Sequence, residues 1–164
     1  MATSAKLDQT DYQILRILQD DGRITNVELA RQVGISAPPC LRRVRALEEK
    51  GFITGYHAEL NAKALGFGIT VFAMVGLHSQ AEADLVKFEE RANGWPLVRE
   101  CFMLNGEIDF MLKIVARDLN EFQNFLTSEL TPAPNVASVK TALTIRAAKN
   151  EPGVPVAFPA QENA

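Results

Sequence analysis

Apolar residues recur at helical spacing through the first part of the chain, and the pattern changes character near residues 65–68, Leu-Gly-Phe-Gly. Beyond that point, runs of strand type alternate with amphipathic helical ones. The first part predicts three helices. Asp8 is placed as an N-cap with Asp11 in the first turn and Leu7 stapled onto Tyr12, and Ile14, Leu15 and Leu18 form the buried stripe before Asp20-Asp21-Gly22 ends the helix. A second helix starts at Thr25-Asn-Val-Glu28, which reads as a capping box with Ile24 and Leu29 as its staple, and ends at Gly34. After Ile35, Ser36 is a good N-cap for a third helix. Pro38 and Pro39 fall in its first turn, and Leu41, Val44 and Leu47 are expected to face inward. Residues 52–56 and 57–60 read as a short β-ribbon, a wing after the third helix.

The rest reads β-α-β-β-α-β. Strands are predicted at 69–77, 98–104, 110–116 and 136–145, with helices at 81–92 (Leu85 and Phe88 inward) and 119–130 (Leu119, Phe122, Leu126 and Leu130 on one side). Asn105-Gly106-Glu107-Ile108-Asp109 is a hairpin connection. This order matches a ferredoxin-like sandwich, an antiparallel sheet with two helices on one face. The expected fold class is therefore α+β: an N-terminal winged helix-turn-helix domain (1–60), a linker (61–68), a C-terminal ferredoxin-like βαββαβ sandwich (69–149) and a loose, Pro-rich tail (150–164).

Charge sharpens this division. The chain of 164 residues has net charge −3, which argues against a generally basic nucleic-acid binder. Residues 1–60 are neutral, with eight Lys+Arg and eight Asp+Glu, so the acidity lies in the second part. Between Arg23 and Arg45, five arginines face a single acid, Glu28. A local basic patch on a neutral first domain is compatible with DNA binding by that domain alone.

Two helices joined by about three residues can cross steeply, and Ala30 lets them approach closely. The third helix then offers an outer face of Ala37, Pro38, Arg42 and Arg45, with Arg43 to one side. A guanidinium fork can read guanine edges or grip phosphates. Ser36 with the helix start, and the Thr25-Asn26 start of the second helix, suit phosphate oxygens. Periodicity alone leaves a second reading open: a charged outer helix is often only a solvated face, and Arg43 and Arg45 can pair with Glu48 and Glu49.

The stretches Leu7-Asp8-Gln-Thr-Asp11-Tyr-Gln-Ile14-Leu15, Asp21-Gly22-Arg23-Ile24-Thr-Asn-Val-Glu28-Leu29-Ala30 and Val33-Gly34-Ile35-Ser36 resemble the leucine-responsive (Lrp/AsnC) family of bacterial and archaeal regulators. So do Cys40-Leu41-Arg42-Arg43-Val44-Arg45-Ala46-Leu47-Glu48 and Gly51-Phe52-Ile53-Thr54-Gly55-Tyr56. The likeness runs to about Lys149. It departs at Ala37-Pro38, where relatives often carry Pro directly after the Ser. The resemblance implies a transcriptional regulator that binds double-stranded DNA, dimerises through its C-terminal sheets and assembles further, an octamer being expected. It also implies a small effector, commonly an amino acid, near the family's Gly-x-x-Asp hairpin, here Gly106-Glu107-Ile108-Asp109. Backbone N–H groups there can hold an α-carboxylate and Asp109 an α-ammonium. Leu104, Asn105, Thr141 and Thr144 are the other residues expected to form the pocket. The alternatives are a plain hairpin turn capped by Asp109, and a nucleoid-type architectural protein with no ligand.

Other chemistries find no constellation. His57 and His78 stand without partners at metal-ligand spacing, and Glu107 with Asp109 lacks a cleft that would make a catalytic pair. Gly66-Phe67-Gly68 is not a phosphate loop. No enzyme activity and no cofactor are expected. Cys40 and Cys101 read as reduced thiols, and with neither an apolar span nor a secretory leader the chain is expected to be cytoplasmic, away from the membrane.

Overall fold

The computed structural model describes residues 7–157, which form two compact units, one of residues up to Glu59 together with the segment from Lys149, the other of Leu60–Ala148. Residues 1–6, and the tail beyond Ala157, lie outside the described residues.

The first unit holds α1 (Gln9–Asp20), α2 (Asn26–Gln32) and α3 (Ala37–Glu49). A reciprocal capping box starts α1: the Asp8 carboxylate accepts from Asp11 N at 2.9 Å, and the Asp11 carboxylate accepts from Asp8 N at 3.1 Å. At α2 only half of the expected box forms. Thr25 Oγ accepts from Glu28 N at 3.2 Å, but the Glu28 carboxylate turns along the helix to Arg31 and Gln32. That pairing brings Glu28 down to about 2, through Arg31 first and Gln32 next. Gly34, at φ 73°, closes α2 in the left-handed conformation that a Cβ would strain, with Ile35 N donating to Ala30 O at 3.0 Å. The same arrangement closes α3, where Phe52 N donates to Leu47 O at 2.9 Å.

Ile14, Leu29, Ala30, Val33, Cys40 and Leu47 form the core of this unit. Leu41, expected inward, is instead 38% exposed. The inward stripe of α3 runs through Ala37, Cys40, Val44 and Leu47, and one residue past Cys40 the helix has turned about 100° toward its outer face. The expected β-ribbon is also absent: 52–60 contain no strand. An isolated two-stranded ribbon is marginal at best. Here side chains hold the segment, with Ile53 packed on the core and the Tyr56 hydroxyl donating to Glu48 at 2.9 Å. Burial, then the Glu48 carboxylate, pushes the Tyr56 phenol up to about 12. The tail expected to be loose has no regular element over 150–157. Its Val154 nevertheless exchanges two hydrogen bonds with the Gln19 side-chain amide, at 2.8 and 3.0 Å.

The second unit is an antiparallel sheet in the order β2-β3-β1-β4, formed by β1 (Ile69–Leu77), β2 (Val98–Met103), β3 (Phe110–Ala116) and β4 (Val136–Leu143). With α4 (Glu82–Gly94) and α5 (Leu119–Phe125), this is the ferredoxin-like arrangement. Strict alternation on β1 and β3 buries Val71, Ala73 and Val75 opposite Ile114, Leu112 and Phe110. Phe88 and Ala92 of α4, and Phe122 and Phe125 of α5, pack on that face, and the Trp95 ring meets Phe88 and Phe125 edge-on. α5 runs into a π-helical turn, Leu126–Leu130, that buries Leu130. Leu119, expected on the inner side, is 56% exposed: it directly follows the N-cap Asp118 and lies about a quarter-turn from the Phe122–Phe125 face. Residues 61–68, read as a linker from the sequence, form a hydrogen-bonded turn in this unit, with Gly68 N donating to Arg117 O at 3.2 Å and the Arg117 guanidinium over the Phe67 ring.

Candidate nucleic-acid interface and effector hairpin

The outer face of α3 starts at Ser36, which occupies the N-cap but makes no side-chain cap hydrogen bond. Ser36 is exposed, as are Pro38, Arg42 and Arg45. Arg42 and Arg45 have no hydrogen-bond or ion-pair partner among the described residues, so the alternative pairing of Arg45 with Glu48 or Glu49 does not form. Two guanidinium groups without counter-charges are thus held on one helix face.

Four of the expected contact residues, Arg43, Asn26, Ala37 and Thr25, are engaged within the scaffold. Arg43 lies on the opposite flank of α3 and pairs with Asp8 and Asp11, each at 2.7 Å, bracing α3 against the capping box of α1. Hydrogen bonding to Asp11, then Asp8, raises the guanidinium further. For Asp8, burial opposes ionisation, but the Asp11 N–H and Arg43 more than offset it and hold the carboxyl below its ordinary range. Asn26 also works inward. Its amide donates to Ala37 O at 2.8 Å and fixes the start of α3 to that of α2, while its Oδ1 is buried without a partner. Ala37 is half-buried, and Thr25, though exposed, spends its hydroxyl oxygen on the Glu28 N–H. The start of α3 offers an anion few donors, because Pro38 and Pro39 have no N–H and Cys40 N is bonded to Ser36 O. The Ser36 hydroxyl and the Ala37 N–H remain there as donors without a partner among the described residues.

In the second unit, Leu104, Asn105, Gly106 and Glu107 are exposed at the tip of the β2–β3 hairpin, whereas Asp109 is buried. Its carboxylate accepts from Leu77 N at 2.6 Å and from the Gln80 amide at 2.7 Å, and its own N–H donates to Val75 O at 3.0 Å. Asp109 thus ties the hairpin to the end of β1, where the β1–β4 register shifts at Gly76/Leu77. The expected open carboxylate for an ammonium group is already engaged by its own chain. A Cβ on Gly106 would meet nothing within 4 Å, so the chain itself demands no close approach there.

Thr141 is exposed on β4 opposite Ala73. Thr144 N donates to Thr70 O at 2.9 Å, with its hydroxyl buried and unpartnered. Thr70 and Val75 are five residues apart on β1, roughly 17 Å. Thr144 and the hairpin therefore do not meet within one chain. Two hollows open on this unit. One, of about 580 Å³, lies between α4 and the Pro134-Asn135 turn; the other, of about 200 Å³, lies beside Cys101 and Met103. No predicted ligand residue lines either.

Both cysteines are free thiols; burial raises each, Cys101 to about 11 with Glu89 adding to the effect. Among the described residues no three or more His, Cys, Asp or Glu side chains gather to hold a metal ion, and no helix is long and apolar enough to cross a membrane.

A helix-turn-helix with unpaired arginines on its third helix, joined to a ferredoxin-like sandwich, defines a two-domain DNA-binding regulator. A winged helix-turn-helix DNA-binding model matches residues 7–54, and the Lrp/AsnC ligand binding domain matches residues 70–154. The chain is 58% identical over 150 residues to the leucine-responsive regulatory protein of Rhizobium meliloti (strain 1021), covering 92% of this chain and 96% of that protein. It is 45% identical to the Bkd operon transcriptional regulator of Pseudomonas aeruginosa over 87% of this chain and 93% of that one. The crystal structure of a transcriptional regulator from Neisseria meningitidis in complex with L-Met superposes with a TM-score of 0.87 at 34% identity, covering 92% of this chain and 97% of that one. The chain belongs to the Lrp/AsnC family and is a DNA-binding transcriptional regulator with a ligand-binding domain.

Proposed function

We propose that the chain is a sequence-specific cytoplasmic regulator whose assembly or DNA affinity is set by an amino-acid effector. The observation that carries the DNA half of this reading is the exposed face of α3, where Arg42 and Arg45 stand free of counter-charges. On this reading α3 enters the major groove, Arg42 and Arg45 contact bases or phosphates, and Ser36 takes a phosphate oxygen. Arg43, Asn26 and Thr25 hold the helices in place.

The effector half is supported by the L-Met complex of the Neisseria meningitidis relative. The exposed hairpin tip, Leu104 to Glu107, contacts the amino acid, with Asp109 as its brace and a second copy completing the pocket. A second copy is further supported by the sheet face away from the helices, where Phe72, Met74, Phe102, Met111 and Val115 flank the Lys113–Glu100 ion pair. An apolar sheet face of this kind suits packing on its own likeness. Homodimers then join into a larger closed assembly, an octamer. Linkage follows: an amino acid that binds one assembly state better shifts the population and with it the DNA affinity.

The test is a selection of duplexes from a random-sequence library by the full chain, paired with a thermal-shift screen of the common amino acids and light scattering for size. A pseudo-palindromic consensus and a stabilising amino acid are expected. Constant footprint spacing with no consensus, and no amino acid that shifts melting or size, would overturn the proposal.

A further inference from the structure

Four residues share one outer stripe of α3 at helical spacing: Pro38, Leu41, Arg42 and Arg45. Leu41 is the unexpected member. It is 38% exposed, it is absent from the apolar side chains packed on the first unit's core, and its neighbours on the helix surface are Pro38, three residues before it, and the unpaired Arg45, four residues after it. The core leaves a large part of it in solvent. An apolar side chain one turn from a free cation, on a helix surface whose charge suits a polyanion, fits one feature of duplex DNA: the C5-methyl group of thymine in the major groove.

We infer that Leu41 is a specificity-determining residue that packs on a thymine methyl, next to the base pair or phosphate contacted by Arg45. This rests on the proposed DNA-reading role of α3 and deepens it. Arginines supply affinity for many sequences, whereas the Leu41 contact discriminates thymine from cytosine and from uracil at one step of each half-site. Covering one methyl group is worth roughly a three- to tenfold preference.

The experiment uses a duplex enriched from a random-sequence library by the full wild-type chain. Each thymine is replaced in turn by deoxyuridine, which lacks only the methyl group, and affinity is read by fluorescence anisotropy. One thymine per half-site is expected whose replacement weakens wild-type binding roughly three- to tenfold, while Leu41→Ala binds the two duplexes within about twofold of each other and Leu41→Met keeps the preference. A wild-type scan in which no deoxyuridine matters overturns the inference by itself, whether or not the variants fold. So does a Leu41→Ala protein that retains the full methyl preference. If the wild type enriches no sequence at all, the proposed sequence-specific function fails together with the inference. An enriched consensus without a methyl effect removes the role of Leu41 alone.

Discussion

Replacing Arg43 with Met keeps most of the side-chain stem and deletes the guanidinium that joins α3 to Asp8 and Asp11. Solvent reaches both partners unequally: side-chain exposure is 52% for Asp8 and 15% for Asp11, with Arg43 at 36%. Screening holds the Asp8 pair to well under 1 kcal/mol, and the better-covered Asp11 pair contributes about 1 kcal/mol. The expected loss is therefore ~1–1.5 kcal/mol in the first unit, a fall in its melting temperature of roughly 4–10 °C. The chain's single tryptophan, Trp95, sits in the core of the second unit. Far-UV dichroism should thus show an earlier helical transition while Trp95 emission keeps its wild-type midpoint. The sign with pH also follows. Asp8 is held below its ordinary value, so its share of the stabilisation is present above about pH 4 and disappears as acid takes the folded protein through the lowered value. The gap between wild type and variant should therefore narrow in acid by the Asp8 share. DNA affinity per folded molecule, and its dependence on salt, should stay near wild type. Unchanged melting together with a large loss of DNA affinity would refute the reasoning and put Arg43 on the DNA.

Asp109→Ala strands the Leu77 N–H and the Gln80 amide, so it should destabilise the second unit by roughly 1–3 kcal/mol, seen as an earlier Trp95 transition; an unmoved transition would return Asp109 to a purely ligand-contacting role. Gly153 sits at φ 72° against the Gln19 side chain, where a Cβ would collide, so Gly153→Ala should undo the Gln19–Val154 bonds and speed proteolysis of the tail severalfold. Equal cleavage rates would show that the tail is not held there.

The apolar run at 69–77 and the apolar residues at 110–116 gave β1 and β3 their bounds, caps and Gly stops marked α1 to α3, and amphipathic spacing marked α4 and α5. It misread Leu41 because a three-residue repeat through 41, 44 and 47 drifts off the inward stripe that Cys40 defines. The Arg43 pairing was beyond reach, since its partners lie 32 and 35 positions away and no local spacing marks a tertiary ion pair. Asp109 illustrates the same limit. Its place in a hairpin was legible, but that β1 ends beside it and supplies two donors depends on strand order. The ribbon at 52–60 was misread from the opposite cause: alternating residues there satisfy the pattern of paired strands, yet the segment forms none. The loss of helix-start donors at Pro38 and Pro39 was legible throughout and bears directly on how α3 can meet a phosphate.

Control of a DNA-reading α3 by an amino acid bound in the second domain is the core of the proposed function. It is tested most directly by the anisotropy of a labelled, enriched duplex titrated with the full chain in the presence and absence of each common amino acid, L-Met and L-Leu first. At least one amino acid should change the apparent Kd by roughly five- to a hundredfold, and the duplex should in turn change that amino acid's affinity by the same factor. Identical titration curves with every amino acid, at concentrations well above those of any metabolite pool, would contradict it.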